Sequence, residues 1–189
     1  MFDHFNWLAP IYENVIQPKP PKRLSELLDL NPELNLLDIG GGTGRISQFF
    51  SDSAKQVVVA DTSYKMLQKT LDKKGLAAIN AGSELLPFQN GSFDRILMVD
   101  ALHHVFDQTI TARELWRALK PGGKIIIEEP DIDKFAVKLI ALAEKIALMR
   151  SHFLSGEQIQ ELFVHLTGDT KIVKEDHYVW IIIKKDHAA

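Results

Sequence analysis

The residues of this chain best suited to chemistry lie in the stretch Leu36-Leu37-Asp38-Ile39-Gly40-Gly41-Gly42-Thr43-Gly44-Arg45. An apolar run carrying one acid, Asp38, enters four glycines within five residues. Glycine lets the backbone turn tightly and lets a ligand come close to the main chain. A helix beginning after such a turn offers unpaired N–H groups to an anionic group. So many glycines carry a conformational entropy cost that a plain turn does not require. The dinucleotide fingerprint needs a glycine at its sixth place. Counting from Gly40, that place holds Arg45; counting from Gly42, it holds Ser47. The Walker phosphate loop needs a lysine after its last glycine, and none stands there. A second acid, Asp61, closes another apolar run where Rossmann-like folds hold ribose hydroxyls. A carboxylate accepts from two hydroxyls at once. The same residue type also caps helices.

A proton-removing group is the other need of a group-transfer site. His103 and His104 follow the fourth apolar run, and imidazole titrates close enough to neutral for that work. Glu128 and Glu129 end the fifth run; Glu129 is a candidate for orienting an acceptor, and His152 is a further candidate base. No metal is expected. The seven histidines are scattered, there is no cysteine and no H-E-x-x-H pattern, and the adjacent pair His103-His104 is expected to point its rings apart. Ser47 and Ser155 lack the context of an activated nucleophile.

The elements that must position these groups alternate between two patterns. Strand-like runs occur at 36–39, 57–61, 76–79, 96–99 and 125–127. A helix carrying Ile46, Phe49 and Phe50 is expected after the glycines. A second begins near Thr62 or Ser63, turns Met66, Leu67 and Leu71 inward and stops at Gly75. A third carries Ile110, Leu115, Trp116 and Leu119 and ends at Pro121-Gly122-Gly123. An apolar helix spans about 134–150, and a shorter one starts at Ser155, where Ser155 and Gln158 fit a capping box. Two strands close the chain, near Lys171–Glu175 and Tyr178–Lys184. Apolar strands alternating with helices indicate a mostly parallel α/β sheet covered on both faces, with ligands at the carboxyl ends of its strands.

The chain has 189 residues, 46% hydrophobic and 25% charged, which suits one globular domain rather than two. We expect a single domain over 1–189, with an arm and proline-rich link at 1–23 and the core at 24–189. The formal net charge of -3 argues against a nucleic-acid coat, and Lys19, Lys22 and Arg23 are too few for an RNA surface. The N-terminus does not read as a secretory signal. Lys138, Glu144 and Lys145 interrupt the longest apolar stretch, so no integral membrane segment is expected. The setting this implies is cytoplasmic. The apolar helix serves either as a greasy cover with Phe153-Leu154 or as a homodimer face.

Four ordered motifs carry a family resemblance over about residues 1–130. The D-x-G-x-G-x-G loop at Asp38 resembles the first motif of class I S-adenosylmethionine-dependent methyltransferases. Ser83-Glu84-Leu85-Leu86-Pro87-Phe88 followed by Gly91-Ser92-Phe93-Asp94 is similar to the A-E-x-L-P-F…S-F-D block of the group related to ubiquinone and menaquinone biosynthesis C-methyltransferases. Asp100-Ala101-Leu102-His103-His104-Val105 resembles that group's stretch after strand four, and Leu119-Lys120-Pro121-Gly122-Gly123 its turn before strand five. The arm, with Ala9-Pro10-Ile11-Tyr12-Glu13, resembles its opening.

The resemblance implies a Rossmann-like seven-stranded sheet whose last strand inserts antiparallel. It implies S-adenosylmethionine as cofactor and S-adenosylhomocysteine as product. Asp38, Gly40 and Gly42 would surround the methionine end, and Asp61 would hold the ribose. Thr62 and Met66 would lie beside the adenine, and Ser83 and Glu84 along its edge. Asp100 would line the methionine amine and the methyl exit, and Tyr12 would close the site. Gly82 stands where the family often has an acid that meets the adenine amine, so a side-chain contact is missing there. Transfer from a sulfonium mainly needs alignment of the nucleophile, which supplies about 7–11 kcal/mol in favourable cases. A carbon or phenol acceptor also needs a base, the role for which His103 and His104 are candidates. The N-P-P-Y motif common in methyltransferases acting on DNA bases or glutamine amides is replaced here by Asp100-Ala101-Leu102-His103, so a small, apolar, aromatic or quinone-like acceptor fits best. The alternative is a non-catalytic cofactor-binding or regulatory protein of the same fold. A nicotinamide oxidoreductase is disfavoured by Arg45 and Ser47.

Overall fold

Val57-Val58-Val59 and Ile125-Ile126-Ile127 are β-branched runs with no polar residue to face water, so their strands need cover on both faces. The computed structural model, which describes residues 21–135, 137–138, 151–166 and 168–187, provides that cover. The chain runs α1 (Lys22–Leu28), β1 (Asn35–Ile39), β2 (Gln56–Asp61), α2 (Tyr64–Leu71), β3 (Leu76–Asn80), β4 (Phe93–Val99), α3 (Gln108–Ala118), β5 (Leu119–Pro130), α4 (Gly156–Glu161), β6 (Gly168–Glu175) and β7 (Tyr178–Lys185). Short 3-10 turns at Ser47–Phe50 and Leu102–His104 follow β1 and β4. The strands form one seven-stranded sheet in the order β3-β2-β1-β4-β5-β7-β6. Strands β1 to β5 pair in parallel, and β7 lies antiparallel between β5 and β6. The arm at 1–20, including Tyr12, and the expected apolar helix over most of its length lie outside the described residues.

Successive residues of a strand face opposite sides, and the two cores follow that alternation. Leu37, Ile39, Ile96, Met98, Ile125, Ile127 and Ile181 join Leu115 of α3 on one face. Leu36, Val57, Leu97, Ile126 and Trp180 join Leu24 and Leu28 of α1 on the other. The two faces hold the strand ends rigidly, and it is from those ends that the polar groups project.

Three local expectations need correction. No α-helix follows the glycines. Gln48 Nε2 donates to the Arg45 carbonyl at 2.8 Å and Ser51 Oγ to the Gln48 carbonyl at 3.0 Å, so side chains satisfy the backbone of a single 3-10 turn. Leu71 is 66% exposed. The inward place in the last turn of α2 belongs to Thr70, whose Oγ1 donates to the Gly42 carbonyl at 2.8 Å. On α3, Ile110 sits in the first turn and is exposed, and Leu119 opens β5 instead of closing the helix. Ser63, not Asp61, caps α2 by accepting from Met66 N, and the capping box expected of Ser155 and Gln158 is present.

Candidate functional site

The glycine loop joins the end of β1 to the 3-10 turn along the carboxyl edge of the sheet. Gly40 and Gly44 have φ of 70° and 69°, in the left-handed region. A Cβ on Gly40 would lie 2.6 Å from that of Ala101, and one on Gly44 would lie 2.7 Å from Leu76 Cδ1. The loop therefore presents main chain, with no room for side chains at these two points. Beneath it, the Asp38 carboxyl is buried and accepts from Ser47 Oγ at 2.5 Å. Burial pushes its pKa up to about 7; the Ser47 hydrogen bond opposes the shift and the nearby Asp61 charge adds to it. Thr43 Oγ1 is buried and has no hydrogen-bond partner among the described residues. A ligand polar atom is what such a group lacks.

Asp61 ends β2 opposite this loop. Its Oδ2 accepts from Gly42 N at 2.9 Å and its Oδ1 from Ser63 N at 2.7 Å. A carboxylate oxygen can accept more than one hydrogen bond. Thr62 is exposed beside it and Met66 is buried. A Cβ on Gly82 would lie 3.9 Å from Thr62 Cγ2 and 3.3 Å from Glu84 Oε2, so this glycine borders both residues. Ser83 Oγ lies 2.9 Å from Thr111 Oγ1, and Glu84 Oε1 accepts from Phe106 N at 2.9 Å. Ser83 and Glu84 thus brace the entry to α3 while lining this side.

Beyond β1, the ends of β4 and β5 carry three acids. Asp100 follows β4 with φ of 50°, a left-handed conformation that Asp tolerates better than most residues, and its carboxyl lies 3.9 Å from the Arg45 guanidinium. Burial and the Glu129 charge raise its pKa, with Arg45 and His103 opposing. Glu129 is only 2% exposed. Its Oε1 accepts from Ala101 N at 3.0 Å and Leu102 N at 2.7 Å, and its Oε2 meets His103 Nδ1. Glu129 is therefore a brace for the 3-10 turn, a correction to its expected role toward an acceptor. Strand alternation turns Glu128 the other way. Its Oε2 accepts from Trp180 Nε1 at 2.6 Å, directly across the β5–β7 pair. Burial pushes its pKa up to about 7, against the Trp180 hydrogen bond and with the Asp100 charge.

The two histidines do not point apart. Their ring centroids are 4.0 Å apart, and Phe153 stacks on His103 at 4.2 Å. His103 is buried; His104 is half-buried, with Nδ1 3.3 Å from Ser151 Oγ, and burial together with His103 pushes it down to about 4. His152 is exposed and donates its backbone N–H to the His103 carbonyl at 2.7 Å. Among the described residues no group of three His, Cys, Asp or Glu is placed to hold a metal ion, and no helix is long and apolar enough to cross a membrane. The structure thus brings Asp38, the glycine loop, Asp61, Thr62, Glu84 and Asp100 to one edge. Sequence reasoning missed the Arg45–Asp100 contact and the Glu128–Trp180 pair. Arg45 drew notice only for failing a fingerprint, and no motif marked Trp180.

Comparison with known proteins gives this edge its context. Residues 37–127 match the family described as "Methyltransferase domain". The ubiquinone/menaquinone biosynthesis C-methyltransferase of Shewanella frigidimarina is 35% identical over 114 residues, which cover 55% of this chain and 45% of that protein. The demethylmenaquinone methyltransferase of Streptomyces griseus is 31% identical over 109 residues, covering 57% and 47%. The chain therefore spans about half the length of the curated relatives it matches. Among solved structures, an S-adenosylmethionine-dependent methyltransferase of Thermotoga maritima superposes with a TM-score of 0.77 at 24% identity, covering 96% of this chain and 98% of that one. A Haloferax volcanii methyltransferase, solved in complex with an activator, gives 0.84 at 15% identity, covering 99% and 100%. The chain thus has the Rossmann-like fold of S-adenosylmethionine-dependent methyltransferases, and residues 37–127 are similar to a methyltransferase domain. The residues present suit S-adenosylmethionine: main chain with no room for side chains at Gly40 and Gly44, a buried hydroxyl with no partner among the described residues, and carboxyls suited to a cation and a diol.

Proposed function

We propose that this domain methylates a small apolar acceptor of aromatic or quinone-like character. The convergence of Asp38, Asp61 and Asp100 on one main-chain loop carries the reading, because it gives a cation, a diol and a methyl exit separate partners. Asp38 with the main chain of Gly40 and Gly42 would hold the methionine end. Asp61 would hold the ribose, and Thr62, Met66, Ser83 and Glu84 the adenine. Asp100 would stand at the methyl exit, and Tyr12 would close the site from the arm. The relatives named for ubiquinone, menaquinone and demethylmenaquinone support the acceptor class. His103 and His104 belong to the acceptor side, where His104, neutral above about pH 4, is the more open of the two. A single domain over the chain and a cytoplasmic setting go with this reading.

Titration calorimetry of the full chain with S-adenosylmethionine, S-adenosylhomocysteine and NAD tests it, followed by mass spectrometry of naphthalene-1,4-diol incubated with S-adenosylmethionine. We expect micromolar binding of the first two, none of NAD, and a product heavier by one methylene. NAD binding alone would overturn the reading. Cofactor binding with no methylation of any phenol or hydroquinone would favour the second reading, a non-catalytic cofactor-binding protein. That reading is supported by Gly82 in place of an adenine-contacting acid and by the enclosure of His103 between two rings.

A further inference from the structure

Glu128 is the polar group at the sheet edge that neither the cofactor nor the fold accounts for. It ends β5, which lies two strands from β1 in the sheet order, about 10 Å away at ordinary strand spacing. Asp100 stands between it and the glycine loop, and Asp100 N donates to the Glu128 carbonyl at 3.0 Å. Its carboxyl is half-buried. Trp180 Nε1 fixes one oxygen, and Oε1 takes no hydrogen bond from a described residue. The charged and titratable groups around it come from every neighbouring element. Asp100 lies at the end of β4, Arg45 on the loop, Glu129 next along β5 and Tyr178 on β7. Arg23 of α1 lies 5.9 Å from the centroid of Trp180.

Building on the methyltransferase reading, we propose that Glu128 is the catalytic proton acceptor for the methyl acceptor, that Trp180 is the positioning residue that aims it, and that the acceptor carries an ionisable phenol or hydroquinone O–H. An amine would be held as an ammonium ion between Asp100 and Glu128, with no lone pair to react. A phenol that hands its proton to Glu128 leaves a neutral acid beside it and has Arg45 to face its anion. In the step, the acceptor O–H bond breaks and its proton passes to Glu128 Oε1. The electron pair left behind forms the bond to the methyl carbon, at that oxygen or at the ring carbon beside it, as the sulfur–methyl bond breaks and its pair stays on sulfur as a thioether. For transfer to carbon, the ring hydrogen then leaves as a proton to water. Burial supports the assignment by bringing the carboxyl to about 7, where a base works best at neutral pH.

The test uses the indole N–H resonances of the full chain, which has three tryptophans. Trp180→Phe assigns the relevant one. We expect that resonance to move in one step as pH crosses neutrality, and the step to vanish in Glu128→Gln. With naphthalene-1,4-diol as acceptor, Glu128→Gln should lose at least tenfold in transfer rate while cofactor affinity stays within twofold. Trp180→Phe removes a hydrogen bond that favours the carboxylate, so it should move the acid limb of the rate profile to higher pH. A resonance with no step, a step that survives in Glu128→Gln, or an equal loss of cofactor binding would overturn the proposal. Failure of the unmutated chain to bind S-adenosylmethionine brings down the methyltransferase reading instead. Cofactor binding without methylation of the diol brings down the substrate class, while the indole step still judges Glu128 as a proton acceptor.

Discussion

The two halves of the sheet edge use their acids in different ways. At β1 and β2, Asp38 accepts from the Ser47 hydroxyl and Asp61 from the main-chain N–H groups of Gly42 and Ser63, so acid and backbone form one surface. At β4 and β5 the work is divided between neighbours. Glu129 is consumed inside by two N–H groups and His103, while Glu128, among the described residues, is bonded to the Trp180 indole. A fixed cofactor suits the first design, because the loop's shape is the specificity. A variable acceptor suits the second, because a brace turned inward leaves the outward residue free to differ.

Glu129→Ala should break the contrast most severely. It strands two buried N–H groups, each costing ~1–3 kcal/mol, so about 2–6 kcal/mol of stability should vanish in a urea titration. A loss within error would mean that Glu129 is not a brace. Asp38→Asn comes next. The folded pKa of Asp38 lies above its ordinary 3.8, so folding favours the neutral acid. The stability this lends is complete below about 4 and lost as pH rises through about 7. The variant should therefore melt like the parent at pH 4 and higher at pH 8, by on the order of 2–4 kcal/mol, while losing at least tenfold in cofactor affinity. A stability gain that is the same at both pH values would remove Asp38 as its source.

Asp61→Ala should weaken S-adenosylmethionine binding by ~1–3 kcal/mol through lost charge-assisted hydrogen bonds. Calorimetry reads this directly, and unchanged affinity would take Asp61 out of the site. Ser155→Ala sits in neither half and sharpens both comparisons as a control. It should cost ~1 kcal/mol through its helix cap and leave cofactor affinity alone. A change in affinity would tie α4 to the ligand.

The cofactor half was the more legible in sequence, for a physical reason. Tight backbone approach requires glycine, and glycine is visible as a letter. The order and type of the strands were visible too, since apolar β-branched runs have few other uses. The face each residue chose was harder to read. Thr70 displaced Leu71 inward because its hydroxyl had a carbonyl to meet, which apolar counting ignores. Glu128 and Glu129 could not be told apart because β5 is apolar on both faces, so no alternation sets which acid points where. Only the arrival of Trp180 opposite Glu128 shows it. The antiparallel course of β7 came from the family resemblance, since a run such as Ile181-Ile182-Ile183 carries no direction.

That antiparallel insertion also governs how the molecule is made. Ile125 to Ile127 of β5 pair with Ile183 to Ile181 of β7, and β6 is held to the sheet through β7. During synthesis, an apolar strand at the centre of the finished sheet therefore has an open edge until Ile181 emerges. At ~5–20 residues per second that interval lasts several seconds. For that time, the strand that carries Glu128 offers its edge to any other nascent chain, and the rate of elongation, as much as the final energy, decides how much protein reaches the folded state.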